Sequence, residues 1–138
     1  MWINLKDYRG FFRKLPAILI AAFIWFLSSQ SVLPKPKGIF GFDKLQHLLA
    51  FAVLSGAVCL WVSREKWNIR GLFFMLIAAS VSSAYGLVDE VHQYFVPGRN
   101  CNIGDWIADT LGAVIGAAAF VGIMAAINRR LSKGEETA

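Results

Sequence analysis

Apolar residues come in blocks along this chain, separated by short charged segments. Four runs carry no charge at all: Leu15–Leu33, Leu48–Val62, Gly71–Val88 and Thr110–Ile127. Each is roughly 15–19 residues long, against the ~20 that cross a ~30 Å hydrocarbon layer as a helix. A helix satisfies its own backbone polar groups in lipid, which an isolated strand does not. The pattern therefore predicts an all-α integral membrane bundle of four transmembrane helices. Hydrophobic residues make up 57% of the chain, which leaves too little polar sequence to cover four such helices as the core of a soluble domain. The expected organisation is a basic lead over residues 1–14, a transmembrane domain over 15–127 and a polar tail over 128–138, frayed from 132.

The net charge of +5 changes the picture once it is read loop by loop. Ten basic residues fall before span one, between spans two and three, and after span four: Lys6, Arg9, Arg13, Lys14, Arg64, Lys66, Arg70, Arg129, Arg130 and Lys133. Only Lys35, Lys37, Lys44 and Arg99 fall on the other side. Basic residues are retained on the cytoplasmic face, so both termini are expected there. The basic balance reports topology, and no nucleic-acid partner is needed to explain it. Trp2, Trp61, Trp67 and Trp106 lie near span ends, as interfacial anchors do, and Trp25 does not. Span one has the basic flank of a signal peptide, but Ser29-Gln30-Ser31 is a poor cleavage site, so a retained helix is expected. Cys59 and Cys101 are too far apart to pair, and neither has metal-ligand spacing.

With that topology, Asp43, Asp89, Glu90, Asp105 and Asp109 all mark the extracytoplasmic ends of spans, together with both histidines, His47 and His92. Ionisable groups at such depth are costly, and they point to function. Asp43 and Asp105 read as N-caps of spans two and four. Asp43 and His47 are one helical turn apart, where the carboxylate can orient the imidazole. Asp89-Glu90-Val91-His92-Gln93 ends span three, and Tyr85 is placed to bond Asp89. Adjacent Asp89 and Glu90 diverge by ~100° around a helix, which predicts that only one of them faces the core. Pro97-Gly98 makes a turn that returns Arg99, a bidentate partner for phosphate or carboxylate, toward the span ends. Asp105, Asp109, Gly112 and Gly116 share one face of span four, acidic at its start and bare further in; the small residues permit close helix approach and suit self-association. Gln30, Pro34, Asp43 and His47 are echoed at Gln93, Pro97, Asp105 and Asp109, as two related hairpins would be.

The stretches Phe26-Leu27-Ser28-Ser29-Gln30, Asp43-Lys44-x-x-His47, Gly86 through Arg99, and Asp105 through Gly112 and Gly116 resemble the VanZ-like family of small bacterial membrane proteins, named after a teicoplanin-resistance protein. The resemblance implies a multi-span envelope protein, related to one that lowers susceptibility to a lipid-tailed glycopeptide. The family pattern has Asn where this chain has Asp109, so a role that needs a neutral amide does not carry over.

Two functions fit these residues. In the first, an outward pocket binds or modifies an anionic lipid-linked envelope component, with Lys44 and Arg99 on the anion, Gln93 beside them, and Asp109 with the glycine face shaping a slot for the tail. In the second, the chain is an intramembrane hydrolase or transferase. His47 oriented by Asp43 is then the base, Glu90 or His92 the acid, and Asp105 and Asp109 can hold a divalent ion with the histidines. An ion-coupled transporter fits less well, because no polar residue continues the cluster through the inner halves of the spans.

Overall fold

In the computed structural model, which describes residues 5–31 and 41–136, four helices follow one another: α1 (Leu5–Ser28), α2 (Phe42–Cys59), α3 (Arg64–Tyr94) and α4 (Ile103–Glu136). Each contains a stretch long and apolar enough to cross a membrane, and the chain is a multi-pass membrane protein with no strand among the described residues. Trp2 and the turn expected over residues 34–38 lie outside the described residues.

The helices extend past the apolar runs. α1 begins at Leu5, so residues 5–14 of the basic lead are continuous with the first span. α4 continues to Glu136 through the residues expected to fray. Arg64 at the start of α3 donates from Nε and Nη2 to Asn128 Oδ1, and Asn128 Nδ2 donates to Asn68 Oδ1, which ties α4 to α3 beyond the apolar zone. The segment between spans two and three is also helical, joined to the third span through a non-helical Arg70 (φ −139°, ψ 44°).

α2 and α4 make the most extensive contact in the bundle. A Cβ added at Gly112 would overlap the Leu48 carbonyl oxygen, and one at Gly116 would overlap that of Ala52. Both glycines are needed for this approach. Ala113 and Ala117 are fully buried beside them. Backbone-to-backbone packing of this kind replaces the hydrophobic drive that lipid does not supply. α3 packs on both α2 and α4, whereas α1 touches α2 and α3 but not α4 among the described residues. Phe23, Val53, Leu72 and Ile115 are exposed, as lipid-facing side chains are.

Three local expectations change. Gly41, in the left-handed region (φ 76°), rather than Asp43, precedes α2, and Asp43 falls in its first turn. Asn102 Oδ1 accepts from the Gly104 amide at 2.9 Å at the start of α4, so Asp105 is likewise a first-turn residue. Both acids still face the positive end of a helix dipole. Trp67 is buried, its ring tilted against those of Phe74 and Phe120 with Nε1 donating to the Cys59 carbonyl, and is a core residue instead of an interfacial anchor.

Candidate functional site

The C-terminal ends of α1 and α3 and the N-terminal ends of α2 and α4 come together at one end of the bundle. Because Gly112 seats α4 on the backbone of Leu48, the residues just before each contact, Asp109 and His47, are brought within reach. His47 Nδ1 lies 2.9 Å from Asp109 Oδ1 and 4.0 Å from Glu90 Oε1. The imidazole's partner at Nδ1 is thus a carboxylate from α4, while Asp43 lines the cavity beside it. His47 and Asp109, echo positions in the sequence, meet directly, but the two hairpins are packed unequally, since only α3 reaches both α2 and α4.

Asp89 and Glu90 are both buried, contrary to the expectation that only one would face inward. The end of α3 has neighbours on two sides. Toward α1, Ser28 Oγ donates to Asp89 Oδ2 at 2.6 Å. Toward α2 and α4, Glu90 Oε2 accepts from the Asn102 amide at 2.8 Å. Gln93 Nε2 spans the pair, 3.1 Å from Asp89 Oδ2 and 3.3 Å from Glu90 Oε1. Two carboxylates ~100° apart on one helix are therefore both enclosed. Tyr85 does not bond Asp89; its hydroxyl donates to the Ala21 carbonyl at 2.7 Å. Gly86 leaves space for Asp109, since a Cβ there would lie 2.9 Å from Asp109 Oδ2 and 3.1 Å from Phe51.

Above this network is a cavity of about 90 Å³. Its lining is mixed: Ser28, Asp43, Gln46, His47, Asp89, Gln93 and Arg99 are polar, and Ile24, Leu27, Ala50 and Phe51 are apolar. Burial of so many polar groups requires partners for them. Asp89 Oδ1 and Asp109 Oδ2 are nevertheless buried without a hydrogen-bond partner among the described residues. His47, Glu90 and Asp109 each bring one potential metal-ligand atom to within 4.8 Å of the other two.

The remaining expected residues stand around this centre. Lys44 Nζ pairs with Asp105 Oδ1 at 2.6 Å on the rim, with Lys44 half exposed. Arg99, returned by Gly98 at φ 80°, donates from Nε to the Gln30 carbonyl and from Nη2 to that of Leu27, each at 2.9 Å. It closes the end of α1, whose last carbonyls have no partner within the helix. His92 is not part of the His47 centre. Its ring stacks on Trp25 at 3.9 Å and its Nε2 lies 3.0 Å from Ser29 Oγ, on the α1 side. α1 stops at Ser28, which puts Trp25 in its last turn.

Sequence reasoning missed Ser28, Gln46, Phe51 and Gly86 as site residues. The serine and the glycine stood inside the stretches that carried the family resemblance. Gln46 and Phe51 gave no signal, because their role depends on where α1 packs.

A family model described as VanZ/LLP1 matches residues 11–125. No curated protein and no solved structure matches the chain.

Proposed function

The chain belongs to the VanZ/LLP1 family, and on that premise we propose that it is a bacterial inner-membrane protein whose extracytoplasmic pocket binds an anionic, lipid-linked component of the cell envelope. The mixed polar and apolar lining of the cavity carries this reading. A phosphate-bearing lipid has a polar head and an apolar chain. The head fits against His47, Gln46 and Gln93, and the chain leaves past Ile24, Leu27, Ala50 and Phe51 toward the lipid. Lys44, paired with Asp105 outside the cavity lining, steers the anion only at a distance, and Arg99 holds α1 beside the cavity. Sequestering or altering such a lipid lowers susceptibility to lipoglycopeptides such as teicoplanin.

Binding of a polyprenyl phosphate to the purified chain in nanodiscs tests this. One lipid per chain is expected, with binding lost in Ala50→Phe, which fills the cavity. Retention no greater than that of empty nanodiscs overturns the reading. A glycopeptide-sensitive bacterium whose susceptibility is unchanged on expression of the chain removes the resistance role alone.

The pairing of His47 with Asp109, and Glu90 4.0 Å away, favours a second reading as an intramembrane hydrolase or transferase acting on a lipid phosphate or ester. A carboxylate-oriented imidazole supplies a general base and the neighbouring carboxyl an acid. Absence of turnover on labelled envelope lipids, with and without added metal, counts against it.

A further inference from the structure

We propose that His47, Glu90 and Asp109 form a binding site for one divalent transition-metal ion of the Zn²⁺ or Mn²⁺ class. The site deepens the lipid-binding reading above and rests on it only for its purpose. Of the three, His47 lines the cavity, and a cation held beside it supplies the positive charge that receives the anionic headgroup.

Charge is the first reason. Asp89, Glu90 and Asp109 are 0–1% exposed, and His47 is the basic side chain set among them. Lys44 is engaged with Asp105 at the rim, and Arg99 with two carbonyls of α1. Buried carboxylates in excess of their partners are expensive unless they share a cation. As they stand, they would also repel the phosphate that the cavity shape admits.

Donor geometry is the second. In tetrahedral coordination, metal–ligand distances of about 2.0–2.2 Å place neighbouring ligand atoms about 3.3–3.6 Å apart. The spacings from His47 Nδ1, 2.9 Å to Asp109 Oδ1 and 4.0 Å to Glu90 Oε1, bracket that range, so small side-chain rotations bring the donors to it. The three donors come from three different helices, so the close packing of α2, α3 and α4 holds them in place.

The third reason is Asp109 Oδ2. It is buried with no hydrogen-bond partner among the described residues, next to Gly86, where a Cβ would crowd it, and it is available as a second ligand oxygen. One imidazole and two carboxylates suit Zn²⁺ or Mn²⁺, whereas Ca²⁺ takes about 6–8 oxygen ligands. Three protein ligands leave a fourth position for water or a phosphate oxygen.

The full chain in detergent, stripped with a chelator and desalted, is titrated with Co²⁺ by visible absorption, followed by Zn²⁺ competition. One ion per chain is expected. Glu90→Gln and Asp109→Asn weaken binding by roughly 10–100-fold or more, while Glu65→Gln, exposed at the opposite end of the bundle, leaves it unchanged. Absence of stoichiometric uptake by the wild type overturns the site, as does uptake that survives both substitutions. X-ray absorption of the Zn²⁺-loaded wild type decides without any variant: an all N/O shell with imidazole scattering supports the site, and sulfur in the shell overturns it. Polyprenyl phosphate binding is measured separately, on the Zn²⁺-loaded chain and on the chain kept in chelator. Lipid binding without metal uptake removes the metal site and leaves the lipid reading, and metal uptake without lipid binding does the reverse.

Discussion

His47 on α2 and Asp109 on α4 stand 2.9 Å apart at Nδ1 and Oδ1, directly beside the point where Gly112 lies against the Leu48 carbonyl. The pair is a consequence of the bare glycine face. Two helices whose backbones touch bring the short side chain of an aspartate within reach of an imidazole on the neighbouring helix.

Gly112→Ala and Gly116→Ala should each separate α2 from α4 and destabilise the bundle by about 1–3 kcal/mol, the usual consequence of overpacking. Gly122→Ala, whose added Cβ meets nothing within 4 Å, serves as the control and should be neutral or slightly stabilising. Thermal unfolding in detergent, followed by circular dichroism, reads both.

A double-mutant cycle on His47 and Asp109 should show a coupling of about 0.5–3 kcal/mol, as for contacting residues in one network. Asp109→Ala leaves a partly buried imidazole without its carboxylate, and His47→Ala leaves a buried carboxylate without its imidazole. The double variant is therefore expected to be less damaged than the two singles combined. Strict additivity would show that the pair does not interact.

Arg99→Lys should release the end of α1, because an ammonium cannot reproduce the two directed bonds to Leu27 and Gln30. The expected loss is about 1.5–3 kcal/mol for charged hydrogen bonds of this kind. Spin labels on α1 and α3 should report a broader distance distribution in this variant than in the wild type.

The fold was readable because membrane spans announce themselves by length and absence of charge, and the four uncharged runs each fall largely within a helix. The inward face of α4 was readable too, since Asp109, Gly112 and Gly116 recur at helical spacing and all pack against α2 or α3. The wiring between helices was not. Helical spacing favours local partners, so Asp43 was expected for His47 and Asp89 for Tyr85; Asp109 and the Ala21 carbonyl took those places from other helices. Arg99 was expected to bind a ligand, and nothing in its own segment reveals that α1 ends within its reach. His92 was grouped with His47 by composition, although stacking on Trp25 fixes it to the opposite side of α3.

The two cysteines provide a direct test of orientation in unmodified protein. Cys101 is exposed in the segment joining α3 to α4, and Cys59 is buried at the far end of α2. A membrane-impermeant maleimide added to intact spheroplasts should label Cys101 and leave Cys59 unmodified until denaturation. Labelling of Cys101 only after lysis would place the polar end of the bundle in the cytoplasm.

The most direct test of the pocket is photocrosslinking with a polyprenyl phosphate that carries its reactive group on the first isoprene unit, followed by mass-spectrometric mapping of the adducts. Adducts should concentrate at Ile24, Leu27, Ala50 and Phe51, the apolar residues of the cavity lining. Adducts spread over the lipid-facing residues, such as Phe23, Leu72 and Ile115, with none on that lining, would contradict a lipid-binding pocket in this protein.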